Sequence, residues 1–144
     1  MHARDILKNK GNRIITADAE MSVADASRLL HDNRIGAVLV LKPDGRIAGI
    51  FSERDVVTGM ARHGPAVTTM SVGSLMTRDV MTCQPTDLIA DIMAVMTARR
   101  IRHLPVVEDG QLLGIVSIGD VVKSRLDETA HEVDSLREYV MTAH

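Results

Sequence analysis

The chain has 144 residues, 45% hydrophobic and 25% charged, which is the composition of a globular protein of one domain or two small ones. Seventeen basic and nineteen acidic side chains give a formal charge of −2, which rules out a broadly cationic surface for wrapping nucleic acid. Phe51 and Tyr139 are the only aromatic rings, too few for a base-stacking platform, and the single cysteine, Cys83, excludes an internal disulfide and a cysteine zinc cage. The opening Met1–Lys10 stretch lacks the apolar run of a secretory signal, and no window approaches membrane-spanning length. The expected address is the cytoplasm.

The organisation is a tandem duplication. Residues 23–57 align with residues 89–122 along their whole length, with one gap near Lys42-Pro43. Identical columns include Asp25/Asp91, Arg34/Arg100, Val40/Val106, Gly45/Gly110, Gly49/Gly114, Ser52/Ser117 and Asp55/Asp120.

In the first copy a short strand at Ile14-Ile15-Thr16 leads to a helix carrying Val23, Ala26 and Leu30 at helical spacing. A strand at Ala37–Leu41, a turn at Asp44-Gly45 and a returning strand at Ile47–Phe51 form a hairpin, and a second helix opens after Ser52. His63-Gly64-Pro65 and Thr68-Thr69 mark the connection between copies. The second copy repeats the order. A short strand lies at Val80-Met81-Thr82, and a helix carries Ile89, Ile92, Met93 and Met96. The hairpin Leu104–Val107, Asp109-Gly110, Leu112–Val116 follows, and the last helix opens after Ser117.

The expected fold class is α+β: two β-α-β-β-α units packed about a pseudo-twofold axis, spanning 5–65 and 70–128, with a helical tail over 129–144. Leu126, Ala130, Val133, Leu136 and Val140 put one apolar stripe on that tail. The stripe either folds back on its own module or contacts a second copy.

Both copies carry Gly-Ile-x-Ser-x-x-Asp, as Gly49–Asp55 and Gly114–Asp120. Ser-x-x-Asp is close to a helix capping box, in which serine accepts an orphan N–H and the acid suits the helix dipole. The same geometry serves a ligand: free N–H groups at a helix start accept phosphate, and a carboxylate one turn in can take both hydroxyls of a ribose diol. Arg54 adds a cation where the second copy has Gly119. Arg99-Arg100-Ile101-Arg102-His103 is the densest basic run, and Arg102 and His103 stand at the entry to a strand.

With these motifs together, the chain resembles a pair of cystathionine-β-synthase (CBS) domains over about residues 5–125. The resemblance implies a regulatory module that binds an adenosine-containing ligand such as AMP, ADP, ATP or NAD(H), with S-adenosylmethionine a lesser choice, and that often forms homodimers. It implies a pocket shared between repeats, in which Asp55 holds the ribose, Ser52 and Arg54 lie near phosphate, Ile50 contributes to the nucleotide site, and Thr82 with Arg102-His103-Leu104-Pro105 closes around adenine and phosphate. A mirror pocket would use Ile115, Ser117 and Asp120 with Thr16, Gly36 and Ala37. Gly36 and Gly119 replace the cations Arg102 and Arg54 there, so the two sites are expected to be unequal, with the Asp55 pocket suited to a phosphorylated ligand.

Catalysis is not expected. Gly114–Gly119 lacks the spacing of a nucleophile elbow, no phosphate-loop or dinucleotide fingerprint is present, and the histidines (His2, His31, His63, His103, His131, His144) have no metal-ligand spacing. Cys83 before Gln84-Pro85 reads as a small buried residue. The rival to a ligand sensor is a ligand-free dimerising scaffold. A protein target is expected, while nucleic acid and membrane are not.

Overall fold

The structure, a computed structural model, describes residues 1–11 and 14–142. The chain opens with helix α1 (Ala3–Lys10). The first repeat then forms β1 (Thr16–Ala17), α2 (Val23–Asn33), β2 (Ala37–Leu41), β3 (Ile47–Ser52) and α3 (Glu53–His63). A 3₁₀ segment (Gly64–Thr69) and the short α4 (Val72–Leu75) lead to the second repeat: α5 (Ile89–Arg99), β4 (His103–Glu108), β5 (Gln111–Ser117) and α6 (Ile118–Thr142). The fold is the expected mixture of helices and two small sheets with a C-terminal helix.

Local chemistry accounts for the element ends. The Ser22 hydroxyl accepts the Asp25 N–H at 3.1 Å and starts α2. Both α2 and α5 stop at an arginine in left-handed geometry, Arg34 (φ 54°) and Arg100 (φ 55°). The β4–β5 turn places Asp109 and Gly110 at φ 51° and 78°, the paired positive values of a two-residue hairpin turn.

In the three-stranded sheet β1 runs parallel to β2, with Thr16 opposite Leu39, and β3 runs antiparallel to β2, with Ala37 opposite Ser52. The strand expected at Val80-Met81-Thr82 does not form. Its counterpart of β1 shrinks to a single parallel bridge, Cys83 to Val106, closed by Cys83 N–H to Pro105 O and Val107 N–H to Cys83 O, both 2.8 Å. Extending that ladder in one direction needs an N–H from Pro105, and in the other an N–H from Pro85; neither has one.

The chain divides into two compact units that do not follow the repeats end to end. The first-repeat unit comprises Arg13–Met81 with Asp109–Leu112, and the second-repeat unit comprises Met1–Asn12, Thr82–Glu108 and Leu113–His144. Thus α1 belongs with the second repeat and α4 with the first. The docking bonds match pairwise. Ala3 N–H to Asp87 O, Arg4 N–H to Pro85 O and Ile89 N–H to Met1 O on one unit correspond to Val72 N–H to Met21 O, Gly73 N–H to Ala19 O and Val23 N–H to Met70 O on the other. Each unit has its own core. One gathers Val23, Leu30, Val40, Phe51, Val67 and Val72; the other gathers Ala3, Ile6, Ile92, Met96, Leu104 and Val116.

Glycine is required where the leading segments cross the returning strands. A Cβ on Gly49 would lie 2.7 Å from the Thr77 carbonyl oxygen and 2.8 Å from Met76 Sδ; one on Gly114 would lie 2.7 Å from Leu7 Cδ2. The tail is not a separate helix but the continuation of α6. Its stripe is not covered by its own unit: Leu126 is 65% exposed and Leu136 63%. Ala143 and His144, the end of the expected tail, lie outside the described residues.

Candidate functional site

Each Ser-x-x-Asp segment lies where a returning strand turns into its closing helix. In the first-repeat unit the Asp55 carboxylate accepts the Ser52 N–H at 2.8 Å and the Ser52 hydroxyl at 3.3 Å, both on Oδ2. The reciprocal bond is present, so the capping box predicted from the motif forms. Asp55 is half-buried, and Oδ1 has no protein hydrogen bond among the described residues. Burial raises the Asp55 carboxyl above the usual range, outweighing the Ser52 hydrogen bonds and the Arg54 charge. Arg54 itself is exposed.

The second-repeat unit builds the same cap but adds a cation. Asp120 Oδ2 accepts the Ser117 N–H at 2.9 Å, and the Ser117 hydroxyl accepts the Asp120 N–H at 3.1 Å. Lys10 reaches over from the end of α1, donating to Asp120 Oδ2 at 2.8 Å and to the Ile115 carbonyl at 3.1 Å. Burial acts to raise the Asp120 carboxyl, but the Lys10 and Ser117 donors overcome it and hold it below the usual range. The two aspartates therefore differ, and in a way the loss of cations at Gly36 and Gly119 did not suggest: Asp120 has an ammonium partner. Lys10 lies outside the aligned copies, so its partner 110 residues away left no sequence signal.

The two carboxyls pull stability in opposite directions with pH. A lowered folded value means that the Asp120 contribution is present above about pH 4 and is lost as pH falls through the folded value. A raised value at Asp55 makes the folded state the better proton binder, so its contribution is present in acid and is lost as pH rises through that value. The Lys10–Asp120 pair is partly exposed, so Lys10→Met is expected to cost about 1 kcal/mol or less at neutral pH. In a thermal titration the difference from wild type should shrink towards zero below about pH 4; a difference independent of pH would assign the loss to packing instead.

The strand entries adjoin these caps within each unit. The Gly36 carbonyl accepts the Glu53 N–H at 3.0 Å, and the Arg102 carbonyl accepts the Ile118 N–H at 2.8 Å, which pins each entry to the first residue of the closing helix. Ile50 is partly buried and exchanges both backbone bonds with Thr77, and Ala37 is buried. Thr16 is exposed and lines a cavity of about 560 Å³ with Ile14, Leu41, Arg46 and the Asp109–Leu112 turn; neither Ser52 nor Asp55 lines it. In the second-repeat unit Arg102 and Thr82 are exposed and His103 is partly buried, whereas Leu104 belongs to the core and Pro105 is buried. Ile115 is partly buried and offers its carbonyl to Lys10.

The expected residues thus fall into two groups. Thr16, Gly36, Ala37, Ile50, Ser52, Arg54 and Asp55 belong to one unit, and Thr82, Arg102, His103, Leu104, Pro105, Ile115, Ser117 and Asp120 to the other. Cys83 is buried, and burial with the nearby Asp87 charge pushes its thiol up to about 12, which leaves it inert. No cluster of three His, Cys, Asp or Glu side chains able to hold a metal is found among the described residues, and no helix there is long and apolar enough to cross a membrane.

Fold and site together define a duplicated α+β module with a capped aspartate at the start of each closing helix. The model of the CBS domain matches residues 3–62 and 72–127, and the chain belongs to the CBS-domain family. It is 33% identical to the mitochondrial CBS domain-containing protein CBSX3 of Arabidopsis thaliana, over 94% of this chain and 70% of that protein. A 33.4 kDa protein of Thermofilum pendens is 39% identical, but the match spans only 37% of its length. Among solved structures, a CBS-domain containing protein from Agrobacterium tumefaciens superposes with a TM-score of 0.85 at 43% identity, covering 87% of this chain and 99% of that one. The CBS domain pair of protein MJ0100, solved with 5′-methylthioadenosine and S-adenosyl-L-methionine, superposes at 0.76 with 26% identity, over 88% of this chain and 98% of that one. CBS pairs are ligand-binding regulatory modules.

Proposed function

We propose that this protein is a non-catalytic sensor that binds an adenosine-containing ligand and passes its occupancy to a protein target. The observation that carries the reading is Asp55: a half-buried carboxylate with one oxygen held by the Ser52 cap, the other without a protein hydrogen bond among the described residues, and no lysine partner. A ribose diol supplies two donors to such a group. The nucleosides in the MJ0100 complex support the ligand class. The cations Arg54, Arg102 and His103 favour a phosphorylated member, AMP, ADP, ATP or NAD(H), over S-adenosylmethionine. Asp120, already paired with Lys10, is the weaker position.

The signal is a population shift: ligand favours one conformation or one state of a homodimer, and that state changes the contact with the target. The cytoplasm is the compartment proposed with it. The test is a thermal-shift panel of AMP, ADP, ATP, NAD⁺, NADH, S-adenosylmethionine and adenosine against guanosine nucleotides, on protein verified as nucleotide-free. A ligand at 100 times its Kd adds about 2.7 kcal/mol, a rise of several degrees. Selective response to adenine compounds supports the sensor; silence throughout transfers the assignment to the ligand-free scaffold, whose Ser52–Asp55 bonds would then be caps alone.

Phosphate recognition has its own test. Arg102→Ala and His103→Ala should each weaken AMP or ATP about tenfold while leaving adenosine nearly unchanged, as loss of a charge-assisted hydrogen bond requires. Equal losses for nucleotide and nucleoside, measured by calorimetry, would remove both residues from the phosphate.

A further inference from the structure

The second half of α6 is left uncovered by its own unit. Every described residue from Thr129 to Met141 is exposed, whereas Val121 and Ser124 earlier in the helix are buried. A helical stretch of this length is marginal in water without a partner. Along it Val122, Leu126, Thr129, Val133, Leu136 and Val140 alternate at steps of four and three residues, the repeat of a coiled-coil seam. The apolar members of that seam are between 42% and 65% exposed. This is a different periodicity from the plain amphipathic stripe, because Val122 and Thr129 replace Ala130 in the row.

We propose that α6 pairs with α6 of a second copy as a parallel two-stranded coiled coil along this seam, which specifies the surface of the homodimer proposed above and rests on it. In that arrangement Leu126, Val133 and Val140 occupy one core position and Val122, Thr129 and Leu136 the other, so the β-branched and leucine combination that favours two strands holds from Val133 to Val140 and is reversed before it. The flanks complement each other: Glu132 of one helix faces Arg137 of the other, twice by symmetry. An antiparallel pairing over the same stretch sets Glu132 against Glu132 and Lys123 against Arg137, so like charges meet on both flanks. An anionic lipid surface is the other occupant the test must separate, because the seam is flanked by Arg125, Glu132 and Arg137, of mixed sign, while Asp127, Asp134 and Glu138 lie on the far side of the helix.

The experiment is sedimentation equilibrium of the full chain and four variants, with circular dichroism to confirm folding: Val133→Asp with Leu136→Asp, Glu132→Arg, Arg137→Glu, and the last two combined. Wild type should be dimeric and the double aspartate variant monomeric. Each single reversal should raise the dimer Kd several-fold, and the combined reversal should bring it back towards wild type. A monomeric wild type overturns the dimer and the seam together, as does a monomer whose tail binds anionic vesicles. A dimer that survives the aspartates overturns the seam alone, and failure of the combined reversal to restore affinity overturns the parallel register.

Discussion

Asp55→Asn is expected to remove most of the stabilisation that an adenine ligand gives while leaving the unliganded protein nearly as stable as wild type. Asparagine keeps an oxygen that can accept the Ser52 N–H, now held by Asp55 at 2.8 Å, so the start of α3 stays capped. It loses the charge that makes a carboxylate a strong acceptor for two ribose hydroxyls. Charge-assisted hydrogen bonds contribute about 1.5–3 kcal/mol, so the Kd should rise roughly tenfold to a hundredfold. At a ligand concentration of 100 times the wild-type Kd, a hundredfold loss reduces the stabilisation from about 2.7 to about 0.4 kcal/mol. Asp55→Ala should lose the ligand response equally and lose in addition about 1 kcal/mol of unliganded stability with the cap. The pair of variants separates the two roles. If Asp55→Asn keeps the full ligand shift, Asp55 caps a helix and does nothing else.

Gly49→Ala should be the most damaging single methyl in the protein. The new Cβ would stand 2.7 Å from the carbonyl oxygen of Thr77. That oxygen cannot retreat freely, because Ile50 and Thr77 exchange two backbone hydrogen bonds of 2.9 Å. Overpacking of this kind costs about 1–3 kcal/mol, and the threatened bonds put the expectation at the upper end, about 3 kcal/mol. At 2–4 °C per kcal/mol that is a fall of roughly 6–12 °C in Tm. Gly114→Ala meets only the tip of the Leu7 side chain, which can change rotamer, so about 1 kcal/mol is expected there. Calorimetry of both variants decides the matter; equal losses would mean that the Thr77 backbone gives way as easily as a leucine.

Much of this architecture was legible because the chain states it twice. Aligned copies exposed the hairpins, the helix starts at Ser52 and Ser117, and the repetition of Gly49 and Gly114, which suits close strand packing, without showing what packs there. That was hidden because the crossing segments, α4 and α1, come from outside the aligned windows. Arg34 and Arg100 looked like repeated charges, yet both end a helix in left-handed geometry, a backbone role that residue type hides. The missing strand at Val80-Met81-Thr82 was concealed by its apolar character; the absent N–H groups of Pro85 and Pro105 decide it, and that requires knowing the register. Of the candidate site, the aspartates and their serines were readable from the motif. Lys10 was not, since an ion pair between distant segments has no local spacing to betray it.

The exchange of leading segments has a consequence for the order in which the molecule can be made. The first-repeat unit is nearly continuous, so it can close once Met81 has left the ribosome. Helix α1 is synthesised before all of it, yet Ala3 and Ile6 find their core only among Ile92, Leu104, Val116 and their neighbours. The earliest helix is thus among the last to dock, and during that interval its apolar face has no native cover. A fragment ending at the first repeat boundary would keep α1 without its core and lack the α4 that completes its own. Halving this duplicated gene product at the obvious seam in its sequence would therefore yield two incomplete pieces, and a cut that respects the physical units would have to leave residues 1–12 with the second.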